Sequence, residues 1–141
     1  MSRLIQAIDF AKDVHVGQVD KGGLPYIIHP IMVRISLKDE SEDIQIIAIL
    51  HDVMEDGGVT EAQLTTLFGE HVGMSVNHLT RRKDEESYGC YIARIAFYPD
   101  VVKVKIADLK DNLDMRRREN ISESLVERYT EALTYLEGLK Q

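Results

Sequence analysis

Apolar positions recur along this chain with the period of a helix rather than a strand. Leu4, Ile8, Ala11 and His15 share one face of a first helix, which should end near Gly17. Gly22, Gly23 and two prolines make residues 20–30 a loop. Pro30 can open a second helix running through Leu37, because proline fits the first helical turn. Ser41 can cap a third, with Glu42 and Asp43 in its first turn. That helix should carry Ile44, Ile47, Leu50 and Met54 and stop at Gly57 and Gly58. Thr60 starts another, and Gln63 completes a capping box. Gly69 and Gly73 predict a break before a helix at residues 75–79, followed by a charged connector at 81–86. A helix over 88–97 ends before Pro99. A longer one follows, with Val102, Ile106, Leu109 and Leu113 on one face. The last, over 122–139, carries a stripe of Leu125, Tyr129, Leu133 and Leu136, whose default place is the core. The expected fold is all-α, a single compact bundle of about seven or eight helices over 1–141.

Composition narrows the function. The chain has 141 residues, enough for one domain with a real core. No apolar run reaches the roughly 18 residues of a membrane helix. The N-terminus lacks a basic region followed by an apolar core, so no signal peptide is expected. Cys90 is the only cysteine, which fits a reducing, cytoplasmic setting. The formal net charge of −7 argues against general nucleic-acid binding, which needs a basic footprint. It leaves room for a small anion held by specific groups.

The most informative segment is His51-Asp52-Val53-Met54-Glu55-Asp56. Adjacent side chains leave a helix about 100° apart, so His51 and Asp52 can converge on one ion. Glu55 and Asp56 follow one turn later. Four ionisable groups then crowd a helix C-terminus, whose partial negative charge disfavours carboxylates. A cation would relieve the conflict. Taken alone, His51 reads first as a satisfied core histidine, and Glu55 and Asp56 as solvated helix-end residues, since a His-Asp dipeptide is a weak signal. Asp108 and Asn112 lie one turn apart on a partly buried face, suited either to chemistry or to a hydrogen-bonded pair tying two helices. His29 sits between Pro25 and Pro30, where rigid flanks fix its direction. His15 reads as a core or supporting histidine, His71 and His78 as surface residues. Two histidines and two aspartates make a mixed nitrogen and oxygen set. That set suits Mn²⁺, Fe²⁺ or Zn²⁺ in a reactive site better than a structural zinc.

Several motifs in order carry a resemblance: Phe10-Ala11 to His15-Val16-Gly17-Gln18, Asp20-Lys21, Pro25-Tyr26-Ile27-Ile28-His29-Pro30, Ile49-Leu50-His51-Asp52-Val53-Met54-Glu55-Asp56, Thr60, Phe68-Gly69, Leu79-Thr80, and Val104-Lys105-Ile106-Ala107-Asp108-Leu109 to Asn112-Leu113. The sequence resembles the HD superfamily of metal-dependent phosphohydrolases. Within it, the hydrolase domain of RelA/SpoT alarmone enzymes and the small Mesh-type alarmone hydrolases are most similar. The resemblance implies a Mn²⁺ site from His29, His51, Asp52 and Asp108. It implies that Glu55 and Asp56 position or activate the attacking water, that Asn112 lies at the nucleotide pocket, and that Lys21 lies near substrate phosphates. The implied reaction removes the 3′-diphosphate of (p)ppGpp as pyrophosphate, leaving GDP or GTP. A chain of this length has no room for synthetase and regulatory domains as well, so degradation alone is expected.

The loop departs from the pattern. Alarmone hydrolases carry an arginine beside the loop lysine, whereas Val19-Asp20 precedes Lys21 here. Asp20 puts a negative charge where a phosphate contact is expected, so the nucleotide stays open. A second reading is an HD phosphohydrolase of another nucleotide: an adenosine alarmone, NADPH or a simple nucleotide. A third is a non-catalytic nucleotide-binding or partner-binding module. Arg81-Arg82-Lys83 reads mainly as a solvated charge run. The expected partner is a small-molecule nucleotide, with no nucleic acid and no membrane, and oligomeric state is open.

Overall fold

The computed structural model describes residues 2–139, apart from the side chains of Met115 and Arg116. The chain forms α1 (Arg3–Val14), α2 (Ile28–Ser36), α3 (Glu42–Leu50), α4 (Val53–Gly57), α5 (Glu61–Phe68), α6 (Glu70–Leu79), α7 (Tyr88–Ile95), α8 (Pro99–Leu113), α9 (Met115–Arg118) and α10 (Glu123–Glu137). Two of these, α4 and α9, are little more than one turn. Among the described residues there is no strand, only an isolated bridge between Val19 and Pro25 that closes the loop before α2. The architecture is all-α, as the hydrophobic period predicts.

Helix starts follow local chemistry. Ser2, Ser41, Thr60, Ser87 and Ser122 each accept a hydrogen bond from a first-turn N–H, and Thr60 and Gln63 form the reciprocal capping box. Each such cap stabilises its helix by about 1 kcal/mol. The middle of the bundle is α3. Ile44, Ile46, Ile47, Ala48, Ile49 and Leu50 are all buried in it. A helix apolar on every side must be surrounded, and α1, α2, α6 and α8 pack around it. Of the C-terminal stripe, Leu136 is buried and Leu125, Tyr129 and Leu133 are half-buried; Ala132 beside it also enters the core.

Three boundaries differ from expectation. The second helix begins at Ile28, so His29 lies inside its first turn and is fully covered. The third helix does not run through Met54. It ends at Leu50, and His51 and Asp52 occupy the junction with α4. His51 Nδ1 donates to the Ala48 carbonyl at 2.7 Å, drawing that acceptor out of the regular ladder. The break near Gly73 is absent. Gly69, with φ of +101°, makes the turn alone, and α6 starts at once. Gly73 is there for proximity: a Cβ on it would lie 2.2 Å from Thr65 Oγ1, where α6 crosses α5.

Candidate functional site

Where α2, the α3–α4 junction and α8 meet, four acceptor groups converge. His29 Nε2 lies 2.7 Å from Asp108 Oδ1. His51 Nε2 lies 3.0 Å from Asp52 Oδ2 and 3.3 Å from Asp108 Oδ1. Ligating atoms of His29, His51 and Asp108 all fall within 4.8 Å of one another. All three residues are buried.

The protons on these rings decide what the cluster can hold. His51 Nδ1 donates to the Ala48 carbonyl, and His29 Nδ1 donates to Asp111 Oδ2 at 2.7 Å. In a neutral ring each Nε2 would then face Asp108 as a lone pair, and only a protonated ring can donate to it. Lone pairs against a buried carboxylate repel unless a proton or cation lies among them. His51 Nε2 is accordingly buried without a hydrogen-bond partner. The titration behaviour says the same. Burial opposes a charge on His51, yet Asp52 and Asp108 overcome it and hold the ring well above its ordinary pKa. His29 is raised likewise, with Asp108 and Asp111 outweighing burial. Burial also opposes ionisation of Asp108, but Lys105 and His51 keep it well below the carboxylate range. A site that pulls protons onto imidazoles by this means fits a divalent cation, and a nitrogen and oxygen donor set suits one.

A supporting layer fixes these groups. Lys105 is buried, and its Nζ lies 2.9 Å from Asp108 Oδ2 and 5.2 Å from the Tyr91 ring centre. It occupies one carboxylate oxygen and leaves the other to the histidines and Asn112. Tyr26 donates its hydroxyl to Asp52 Oδ2. Asn112 donates to Asp108 Oδ1 at 3.2 Å and accepts from Arg117 Nε at 3.3 Å. Second partners of this kind orient ligands and tune their basicity.

The cluster forms the floor of a cavity of about 420 Å³. Glu55 lines it from an exposed position on α4, and its carboxyl is raised by partial desolvation and by Asp52. Asp56 is exposed and turns aside, accepting from Gln18 Nε2 at 3.0 Å. Lys21 and Asn112 also line the cavity, so α1–α4 and α8 bring together all the predicted site residues except Asp56, which borders it. His15 is buried beside the site, with Nδ1 on Gln18 Oε1 at 2.9 Å. His71 pairs with Asp100 on the surface, and His78 stacks on Tyr98.

Two sequence expectations need correction. Arg81 and Lys83 are not simply solvated, because they line the cavity opposite the loop; only Arg82 turns out, toward Asn77 and Glu85. Asp20 does not aim a free negative charge at it. Its Oδ1 accepts from the N–H groups of Gly22 and Leu24, both at 2.9 Å, and its Oδ2 meets Arg117 Nη1 at 3.2 Å. Asp111, Lys105, Tyr26, Arg117, Arg128 and Tyr129 were not singled out as site residues. A turn later on the face of Asp108 was the available signal for Asp111, as it was for Asn112; Arg117 and Arg128 carried none, because they reach the rim only once α9 and α10 fold back beside α8. Arg128 lies 4.7 Å from the Tyr88 ring centre. Lys21, Arg81, Lys83 and Arg128 are in no ion pair among the described residues.

The sequence and the fold are similar to those of known proteins. The HD domain pattern matches residues 7–93. The guanosine-3′,5′-bis(diphosphate) 3′-pyrophosphohydrolase of Aquifex aeolicus is 32% identical over 139 residues, covering 88% of this chain and 20% of that protein. The bifunctional (p)ppGpp synthase/hydrolase SpoT of Escherichia coli is 31% identical over 138 residues, covering 84% and 20%. The chain thus spans about a fifth of the length of the curated relatives it matches. A solved structure described as a metazoan ortholog of SpoT that hydrolyses ppGpp superposes with a TM-score of 0.83 at 24% identity, over 99% of this chain and 88% of that one. That likeness concerns the fold.

Proposed function

This chain belongs to the HD-domain family, and from that premise we propose that it is a divalent-metal phosphohydrolase removing the 3′-diphosphate of (p)ppGpp as pyrophosphate. The observation that carries the reading is the convergence of two imidazoles and two carboxylates beneath a cation-rimmed cavity. An acidic chain concentrates Lys21, Arg81, Lys83 and Arg128 around one opening. Those charges answer an anion with phosphates at more than one point, as a 3′,5′-bis(diphosphate) has.

We assign His29, His51, Asp52 and Asp108 as the ligands, with Mn²⁺ as the ion. When bound, the ion supplies Lewis acidity and neutralises charge at the scissile phosphorus. The remaining work falls to side chains. Glu55, on the cavity with a raised pKa, takes the proton of the attacking water. Asp56, held by Gln18, positions the turn that carries Glu55. The new O–P bond forms as the bond to the ribose 3′ oxygen breaks, and that oxygen leaves as the alcohol, taking up the proton that Glu55 accepted from water. Lys21 and the arginines across the cavity hold the diphosphate as it departs. Asn112 stands at the nucleoside end. Tyr88 and Tyr129 offer flat faces on the same wall.

The test is a panel of ppGpp, pppGpp, ppApp, NADPH and GTP with Mn²⁺-loaded protein, followed by product chromatography, with Asp52→Ala as blank. GDP and pyrophosphate from ppGpp, by the wild type alone, is the expected result. Turnover of a different nucleotide with ppGpp inert would move the substrate and keep the chemistry. Inertness toward all five would sink the hydrolase reading.

A further inference from the structure

Cations in and beside the cavity are held in two different ways. Some face a carboxylate: Lys105 has Asp108 at 2.9 Å, Arg117 has Asp20 at 3.2 Å, and Arg94 has Glu86 at 2.6 Å. Arg81 and Arg128 face an aromatic ring instead. Their guanidinium carbons lie 5.4 and 4.7 Å from the centre of the Tyr88 ring. Among the described residues neither forms an ion pair, and Nε of Arg81 is buried with no hydrogen-bond partner. The glutamates of the connector that carries Arg81 turn elsewhere, Glu85 to Arg82 at 3.9 Å and Glu86 to Arg94. Tyr91, one turn after Tyr88, differs: Arg94 lies 5.5 Å from its ring centre but also has Glu86. Tyr88, Arg81 and Arg128 all line the cavity.

We propose that Tyr88 is a positioning residue that holds Arg81 and Arg128, un-neutralised, as the two cationic arms of a diphosphate subsite. A carboxylate would fix a guanidinium and cancel its charge. A ring fixes it through the negative face of its quadrupole and leaves the charge intact. Two like charges gathered on one ring repel each other, and that repulsion is relieved only when an anion arrives between or beside them. Each guanidinium offers a planar fork of donors that matches the oxygens of a phosphoryl group, so two of them suit two linked phosphoryl groups. The arms come from distant parts of the chain. Arg81 follows α6, Arg128 rides on α10, and Tyr88 opens α7 between them. The Tyr88 hydroxyl is buried with no hydrogen-bond partner, so the role falls to the ring and not to the oxygen. The inference rests on the reading above that these arginines hold the departing diphosphate, and it is independent of which nucleoside carries it.

The experiment is calorimetric titration of inorganic pyrophosphate into the protein at a fixed, saturating concentration of free Mn²⁺. It compares the wild type with Tyr88→Phe, Tyr88→Leu, Arg128→Gln and the Tyr88→Leu, Arg128→Gln double variant. Tyr88→Leu releases both arginines and should raise Kd for pyrophosphate about tenfold, whereas Tyr88→Phe keeps the ring and should stay within about twofold of the wild type. In the Arg128→Gln background Tyr88→Leu should cost less than it does alone, because one of the cations it holds is already gone. A ring-fluorinated phenylalanine at position 88 keeps the shape and drains the negative face, so its Kd should rise toward that of Tyr88→Leu. It also carries the test should Tyr88→Leu fail to fold. A Tyr88→Phe loss equal to that of Tyr88→Leu, additive losses in the double variant, or a fluorinated ring as good as phenylalanine would each overturn the proposal. Hydrolysis of ppGpp by the wild type is measured beside it. Cleavage of ppGpp without the expected order of Kd values would remove this proposal alone. The expected order with ppGpp left intact would keep the diphosphate subsite and remove the substrate assignment.

Discussion

Replacing Lys105 by methionine keeps the length of the side chain and deletes its charge, and the outcome should depend on metal. Lys105 Nζ lies 2.9 Å from Asp108 Oδ2, and both side chains are nearly covered, at 11 and 7% exposed. At an effective dielectric of about 20 that attraction is roughly 6 kcal/mol. Removing the ammonium also removes its own burial penalty, several kcal/mol. The expected net loss is about 3 kcal/mol, at the lower end of what an orphaned buried charge costs. A divalent ion against Oδ1 would supply the missing counter-charge. Urea unfolding of Lys105→Met should thus show a loss of about 3 kcal/mol in EDTA, shrinking below about 1 kcal/mol in saturating Mn²⁺. An equal loss under both conditions would refute the reasoning, because it would mean that Asp108 does not face the ion. A variant as stable as the wild type in EDTA would refute the buried pair itself.

Other perturbations probe separate parts of the molecule. Glu55→Gln should lower kcat for ppGpp at least about 100-fold by loss of the proton acceptor while Mn²⁺ affinity is retained; Asp56→Asn, which borders the cavity, should cost less, and steady-state kinetics with equal losses would argue against dividing the roles. Gly73→Ala should destabilise by about 1–3 kcal/mol through overpacking against Thr65, more than the roughly 1 kcal/mol gained in helix propensity; an unchanged urea midpoint would show that α5 yields. Hydrogen bonds from Arg94 hold Glu86 below the ordinary glutamate value of 4.5. A depressed folded pKa gives stability that is present above the unfolded value and lost as pH falls through the folded one. Thermal midpoints should therefore fall with acidification below about pH 4.5, and Glu86→Gln should flatten part of that slope; identical slopes would dismiss the pair.

Much of this was legible because helices announce themselves. Caps at Ser41 and Thr60, and the apolar run of α3, depend on neighbours in sequence, so reading along the chain finds them. The α3–α4 junction was not legible, since the hydrogen bond from His51 Nδ1 back to the Ala48 carbonyl leaves no mark in the hydrophobic pattern. The glycines divided for the same reason. Gly69 acts through its own backbone angle, but Gly73 acts through a helix it meets only after folding. The ligand residues stood out as polar side chains on apolar faces. Their supporters did not. Lys105 looks like any surface lysine until its burial is known, and Asp20 looks like a repulsive charge until Arg117 arrives from the far end of the chain.

The division of the centre between two stretches of chain has an engineering consequence. His29, His51 and Asp52 come from the first half, while Asp108 and its lysine ride on α8, beyond an exposed Phe97 that is 81% accessible. A backbone cut beside Phe97 would separate an incomplete chelator from a single carboxylate. Neither fragment would hold the ion well, but their reunion would rebuild the whole set. The metal would then act as a staple across the cut, and the pair of fragments would form a split reporter whose assembly is read by metal uptake alone.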